Sequence, residues 1–189
     1  MKERLGCLVA ICWCALLLAS PAAAQSVEWK KLNQEASTLF QQGKYGEAVV
    51  VAKKALEIAE RDLGPNHPDL AASLNKLAAL YQAQGQYVAA ETLVKRSLAI
   101  YEKALGPNHP DVAESLNNLA GLYQAQGQYA ATEPLFKRSL AIWEKALGPD
   151  HPDVAASLEN ISALYEMMGK TDEARKLSDR AAKIRELKR

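Results

Sequence analysis

The hexapeptide Gly-Pro-Asn-His-Pro-Asp occupies residues 64–69 and recurs unchanged at residues 106–111; a third copy, with Asp in place of Asn, occupies residues 148–153. The spacing is 42 residues both times, and 33 of the 42 positions of residues 64–105 are identical in residues 106–147. Self-similarity at a fixed period is typical of repeat architectures. We therefore predict three units at 64–105, 106–147 and 148–189, preceded by a weaker fourth unit at about 25–63.

Each unit is predicted to contain two α-helices. In the third unit, Leu116, Leu119, Ala120 and Tyr123 form one helical apolar stripe, and Gly127 supplies the left-handed residue that ends a helix. A second stripe follows, and we expect its Pro134 in or near the first turn, where little backbone hydrogen bonding is lost. No segment alternates with a period of two over a useful length, so the predicted fold class is all-α.

Stacking of these helix pairs is required because one pair cannot cover its own apolar face. A stack continues as a solenoid with one concave and one convex side. The last unit fits the end of such a stack. It replaces Phe136, Leu140 and Trp143 of the preceding unit with three smaller or more polar residues, as expected for an outer helix in contact with water: Ser178, Ala182 and Arg185.

The residues of each unit resemble the tetratricopeptide repeat pattern. Leu116, Leu119, Ala120, Tyr123, Gly127 and Tyr129 match it in the third unit, although Thr132 stands where the pattern has a small residue and Thr171 where it has Tyr. The 42-residue period with its Gly-Pro-x-His-Pro-Asp connection resembles the longer repeats of kinesin light chains and their bacterial relatives. The resemblance implies a right-handed superhelical solenoid of about four antiparallel helix pairs, which binds proteins or peptides.

The N-terminal segment is predicted to be a signal peptide of residues 1–24. Lys2 and Arg4 precede a mainly apolar run from Leu5 to Ala19, and small residues follow Pro21, so cleavage is expected after Ala24. The run is shorter than the roughly 20 residues that span a bilayer. The protein is therefore expected to be exported, to the periplasm or the medium, and to meet the membrane only through this transient segment.

The predicted mature chain has no cysteine, because all three cysteines (Cys7, Cys12 and Cys14) lie in the signal segment. Disulfides, thiol nucleophiles and thiolate metal sites are thus excluded after residue 24. The mature chain carries 21 basic and 21 acidic residues, without the basic excess of a nucleic-acid-binding protein. Lysines of the second helices, including Lys95 and Lys137, are expected on the convex side, away from the partner.

Repeated histidines and serines are interpreted as structural residues. His67, His109 and His151 are one repeat apart, on helices roughly 8–10 Å from each other, whereas ligands of one metal ion lie about 2 Å from it. Small packing residues explain Ser73, Ser115 and Ser157 better than a catalytic triad, which needs one convergent constellation. No phosphate-binding loop or hydrolase motif occurs, so we predict no enzyme activity, metal or cofactor.

Polar side chains on the first helices, opposite the Leu/Tyr stripe, are the candidate binding residues. The resemblance places this face in the concave groove, where amides can pair with the backbone of an extended peptide. We expect these side chains to be exposed, so that truncating the asparagines leaves the fold intact. The candidates are Asn33, Asn75, Lys76, Gln82, Asn117, Asn118, Gln124, Glu159 and Asn160.

The predicted function is therefore that of an exported adaptor or scaffold that holds a protein or peptide partner in its groove. A structural subunit that self-associates through the convex face or the solenoid ends is the alternative. The two differ in one observable, because self-assembly changes the particle size with concentration. The sequence does not indicate the oligomeric state or the identity of the partner.

Overall fold

The computed structural model describes residues 21–187, with side chains from Val27 onward. These residues form eight helices and no strand, which confirms the all-α prediction. The predicted signal segment lies outside the described residues up to position 20, and so do the three cysteines. The helices are α1 (Pro21–Gln41), α2 (Tyr45–Asp62), α3 (Pro68–Ala83), α4 (Tyr87–Leu105), α5 (Pro110–Ala125), α6 (Tyr129–Leu147), α7 (Pro152–Met167) and α8 (Thr171–Glu186).

Successive helices pair as four antiparallel hairpins, each of which packs on the next one. The first helices α3 and α5 also contact each other directly. The leucines of the predicted stripe are buried: Leu74, Leu116 and Leu158 expose 0% of their surface. Small residues let the helices approach closely, since Ser97 Oγ donates to the Ala71 carbonyl over 2.8 Å, and Ser139 Oγ donates to the Ala113 carbonyl over the same distance.

The connections between hairpins are fixed by histidine and proline. His67, His109 and His151 are the N-caps of α3, α5 and α7, and in each case Nδ1 accepts from the backbone N–H of the Asp two positions on, over 3.1–3.3 Å. This bond satisfies one of the free N–H groups at a helix start, and proline fills the next position, where it loses no bond. The histidines therefore have the structural role that the sequence predicts, as caps of helix starts.

Gly127 has its predicted position in the structure, and Pro134 does not. Gly127 follows α5 with φ +73°, which confirms the predicted left-handed residue at that helix end. Pro134 is the sixth residue of α6, so its predicted position in or near the first turn is wrong. Its missing N–H leaves the carbonyl of Ala130 without an intrahelical donor, and Ala130 is exposed, so water can satisfy that carbonyl.

The last helix ends the solenoid with a polar surface. Ala174, Ala181 and Ile184 of α8 are buried against the preceding hairpin. Its other positions are mainly exposed, among them the three that differ from the preceding unit, Ser178, Ala182 and Arg185. This is the expected outer face of a terminal helix. Among the helices of residues 21–187, none combines the length and the apolarity that crossing a bilayer requires.

Ion pairs and aromatic contacts connect the second helices to the neighbouring units. Arg138 bonds Glu102 over 2.7 Å, and Lys137 lies 5.9 Å from the ring centre of Tyr165. One unit earlier, Lys95 bonds Glu91 over 2.6 Å and lies over the Tyr123 ring. Lys95 and Lys137 are therefore part of the contacts between units, and truncating them would disturb the fold as well as the surface.

The carboxylate of Glu133 accepts three hydrogen bonds beside the contact between Lys137 and Tyr165. Lys137 Nζ donates over 2.7 Å, the Tyr165 hydroxyl over 2.8 Å and Lys170 Nζ over 3.3 Å. The hydrogen bond from Lys137, followed by that from Tyr165, lowers the pKa of Glu133 to about 2. The unfolded value is about 4.3. A lowered pKa contributes stability above the unfolded pKa, and this stability is lost as the pH falls toward the folded value.

Glu133→Gln is expected to lower the free energy of unfolding by about 1 kcal/mol near neutral pH, a figure reduced for the solvent exposure of both lysines. The difference from wild type should shrink as the pH falls from about 5 to about 2, where the wild-type carboxylate also gains a proton. Denaturant titrations over this range measure it. Glu57→Gln, an exposed carboxylate of α2 without an ion pair, is the control. A constant difference across the range would contradict the assignment.

Candidate functional site

A groove of about 490 Å³ runs along the first helices in the N-terminal half of the solenoid. Residues of α1, α3 and α5 form its walls, and one side chain of α4 reaches it. A groove along first helices is the place that the sequence predicts for binding. It is lined by Ala36, Ser37, Phe40, Gln41, Ala72, Asn75, Lys76, Ala79, Leu80, Tyr101, Glu114 and Asn118.

Three of the predicted binding residues, Asn75, Lys76 and Asn118, line this groove together. Asn33 lies next to them, and its carbonyl accepts a hydrogen bond of 2.9 Å from Lys76 Nζ. Burial among these neighbours lowers the pKa of the Lys76 ammonium. This lysine therefore serves partly as a contact between α1 and α3.

The other predicted residues lie outside the lining of this groove. Gln82, Asn117 and Gln124 are half-buried on α3 and α5, and Gln124 Nε2 lies 3.4 Å from Met167 Sδ. Glu159 and Asn160, the remaining two candidates, are exposed on α7. The Glu159 carboxylate already forms a two-point ion pair with Arg185, with distances of 2.6 and 2.7 Å.

The prediction that the asparagines are exposed is wrong for Asn33 and Asn75, which each expose 8% of their surface. Asn75 Nδ2 donates to Ser115 Oγ of the next unit over 2.8 Å, and Asn33 Nδ2 donates to the Trp29 carbonyl over 3.0 Å. The face opposite the Leu/Tyr stripe is partly covered, because each first helix also packs beside the first helix of the next unit. Truncating Asn75 is therefore expected to destabilise the fold.

The repeated serines lie in the same contacts between units. Ser73 Oγ accepts from Trp29 Nε1 over 2.8 Å and donates to the Asp69 carbonyl over 3.0 Å. Ser115 accepts from Asn75, and Ser157, the third member, is likewise buried. These contacts confirm the predicted packing role for Ser73 and Ser115, while the buried Ser157 hydroxyl has no hydrogen-bond partner among the described residues. No group of three or more His, Cys, Asp or Glu side chains within residues 21–187 is arranged to hold a metal ion.

Two aromatic residues of the groove were missed from the sequence. Tyr101 belongs to α4, a second helix, whereas the predicted site used first helices only. Phe40, at the end of α1, is 40% exposed and packs edge-to-face on Tyr45, with ring centres 5.4 Å apart. The only sequence signal was the large aromatic residue that Tyr101 and Trp143 share at one repeat position.

The electrostatics of the groove are set by acidic residues at the start of the first helices. Glu114 keeps an exposed surface but lies inside the groove, where protein replaces much of the surrounding water. This desolvation raises the pKa of the Glu114 carboxyl, and the charges of Asp111 and Asp153 raise it further. Burial also raises the pKa of the Tyr101 hydroxyl, with contributions from Asp111, Glu114 and Asp69.

Comparison with known proteins supports this architecture. The family model of the tetratricopeptide repeat matches residues 30–103, 69–131 and 111–186. A search of curated protein sequences finds no match.

Solved structures with nearly identical TPR-like repeats are similar to the chain. One is a protein of Podosopora anserina assigned as a kinesin light chain, at 32% identity and a TM-score of 0.74, covering 82% of this chain and 74% of that one. A single-residue variant of the same protein gives 31% identity and a TM-score of 0.73, over 82% and 73% of the two chains.

The fold is also that of BtubC (BKLC) from P. vanneervenii, which has a TM-score of 0.73 at 22% identity over 87% of this chain and 72% of that one. The family model covers most of the chain, in three successive matches that follow the helix pairs. The chain therefore belongs to the tetratricopeptide repeat family.

Proposed function

We propose that this protein is exported and holds an extended segment of a partner protein in the groove along α1, α3 and α5. Tetratricopeptide repeat proteins generally mediate protein–protein interactions or act as scaffolds. The observation that carries the proposal is the groove itself: a concave surface of about 490 Å³ that combines small side chains with amides. We propose no enzyme activity for it.

The chemistry of the groove suits a peptide backbone. Ala72 and Ala79 leave room above α3, while Asn118 and Gln41 offer both donors and acceptors. Phe40 provides an exposed ring at one end of the groove, against which an apolar side chain can pack. Peptide N–H and C=O groups that leave water need such partners, since an unmatched group costs about 1–3 kcal/mol.

Export rests on the N-terminal pattern alone. A basic start, an apolar run of about 15 residues and the small residues Ala22, Ala23 and Ala24 suit a signal peptidase. The polypeptide isolated from the envelope or medium of cells that express the full chain should begin at Gln25 or within a few residues of it. Intact-mass measurement tests this expectation. An exported polypeptide that retains Met1 would contradict it.

Replacing Asn118 and Gln41 together with alanine is expected to weaken partner binding by about 5- to 150-fold for each bond lost, because each lost bond leaves a peptide group unpaired. Both residues line the groove, Asn118 half-buried on α5 and Gln41 exposed at the end of α1. The melting temperature should therefore change little. Affinity capture from the cell envelope identifies the partner, and titration with that partner measures the loss.

Lys103 and Lys145 are the matched control for this pair. Both are exposed on the second helices α4 and α6 and form no ion pair. Replacing them with alanine should leave binding unchanged. Lys95 and Lys137 are less suitable controls, because both contact a tyrosine of the next unit. If the lysine variant lost the partner while the amide variant kept it, the binding surface would lie on the outer helices.

A further inference from the structure

Charge is unevenly distributed between the first and second helices of the solenoid. The helices α3, α5 and α7 together contain six acidic residues and a single basic one, Lys76. In α4, α6 and α8, eleven basic residues outnumber eight acidic ones. From α3 to α8 the first helices are thus net negative and the second helices net positive, whereas α1 is balanced and α2 carries four acidic and three basic residues. The six acidic residues are Asp69, Asp111, Glu114, Asp153, Glu159 and Glu166.

Two carboxylates of the outer helices, Glu102 and Glu144, are paired with cations, whereas Glu114 in the groove is not. Glu102 bonds Arg138 and Glu144 bonds Arg180, over 2.7 and 2.6 Å. Within residues 27–187, no basic side chain forms an ion pair with Glu114. Lys76, the cation of the same groove, is instead bonded to the Asn33 carbonyl. Glu114 therefore carries a charge that nothing in the described fold neutralises.

The surroundings of Glu114 make this charge unfavourable. Desolvation and the carboxylates of Asp111 and Asp153 raise its pKa, while burial and the carboxylates of Asp111, Glu114 and Asp69 raise the pKa of Tyr101. A cation entering the groove would relieve this repulsion, because opposite charges a few ångströms apart favour the ionised carboxylate. An anion would add a further negative charge to the cluster.

A buried hydrogen-bond acceptor lies in the same groove and is independent of the charges. Asn75 exposes only 8% of its surface, and its Nδ2 is used by Ser115, but its Oδ1 has no partner. The Oδ1 of Asn117, at the equivalent position one unit later, is also buried without a partner. Buried polar atoms are normally satisfied, so an unpartnered acceptor on a residue of the groove lining points to a donor that reaches it once the groove is occupied.

We propose that the groove binds a lysine or arginine side chain of the extended partner segment, with Glu114 as its counter-charge and Asn75 Oδ1 as an acceptor for one of the segment's N–H groups. This inference rests on the proposed function, since it names the chemistry of the partner in that groove. Lysine and arginine carry only donors at their charged ends, which matches a site rich in acceptors. Charge complementarity of this kind also excludes acidic partners.

Selection from a random dodecapeptide library displayed on phage, with the purified full chain as bait, tests the proposal. Peptides retained by wild type should carry Lys or Arg at one shared position, enriched about tenfold over Asp and Glu. Glu114→Gln, which keeps the size and removes the charge, should abolish this enrichment. Glu57→Gln makes the same chemical change on the exposed face of α2 and should leave the enrichment intact.

Binding measurements with one selected peptide then give the coupling between its basic residue and Glu114. Changing its basic residue to Gln should weaken binding to wild type about tenfold and have little effect on binding to Glu114→Gln, as expected for two groups in contact. Enrichment of acidic residues, or a basic residue whose contribution does not depend on Glu114, would overturn the inference.

The same peptides separate this inference from the proposed function. Peptides that bind without any basic preference, but are lost when the groove is filled by Ala79→Trp, would refute only the charge assignment. Peptides that remain bound to Ala79→Trp would instead refute the groove as the binding surface.

Discussion

Truncating Leu116 to alanine is expected to lower the free energy of unfolding by about 3 kcal/mol, within the range of about 2–5 kcal/mol typical of such core changes. Leu116 exposes none of its surface and lies in a cluster with Leu74, Ile100 and Ile142. This cluster joins the second and third helix pairs. The cavity would therefore weaken an interface between units as well as a single hairpin.

The size of this effect follows from the architecture of the chain. Each unit of a solenoid contacts only its neighbours, so no distant element compensates for a weakened interface. Denaturant titration followed by tryptophan fluorescence, to which Trp29 and Trp143 beside the same cluster both contribute, measures the loss. Leu147→Ala is the control, because Leu147 is 38% exposed and should contribute less than about 0.5 kcal/mol. Equal effects of the two substitutions would contradict the assignment of the core.

Ala79→Trp is expected to reduce partner binding by about 100-fold or more, which corresponds to about 2.7 kcal/mol. Ala79 is exposed on α3 and lines the groove, so an indole at this position occupies the space that the partner segment needs. The fold should tolerate the change because no packed neighbour is displaced. We expect the free energy of unfolding to change by less than about 0.5 kcal/mol.

Ala99→Trp is the matched control for this substitution. Ala99 is an exposed alanine in the middle of α4, outside the groove lining. Titration of both variants with the captured partner distinguishes a blocked site from a general effect of a surface indole. Retained binding in Ala79→Trp together with lost binding in Ala99→Trp would place the site on the outer helices.

The repeat made the helices predictable from the sequence. Fixed-spacing signals set the helix ends: proline after a histidine cap starts α3, α5 and α7, and Gly127 with positive φ follows the end of α5. These are local effects of the backbone, so they can be derived from a short stretch of chain. The polar α8 was predictable for a related reason, since a terminal helix has no next unit to cover it.

The candidate site was less predictable because it depends on contacts between units. The periodicity of one helix identifies the face that packs on its own hairpin partner, but it does not reveal the neighbouring first helix that buries Asn75. The same reasoning missed Tyr101, which reaches the groove from a second helix, and assigned Lys95 to a free convex surface although it contacts Glu91 and Tyr123. Contacts between residues far apart in the chain, which no local pattern records, decide these cases.

Site-specific photo-crosslinking tests the central claim most directly. A diazirine amino acid is introduced either at Gln41, which is exposed and lines the groove, or at Lys103, which is exposed on α4. After irradiation of the intact protein in envelope preparations, mass spectrometry identifies the crosslinked polypeptide. The groove model predicts that one partner segment is crosslinked from Gln41 and not from Lys103. Crosslinking of the partner from Lys103 but not from Gln41 would contradict it.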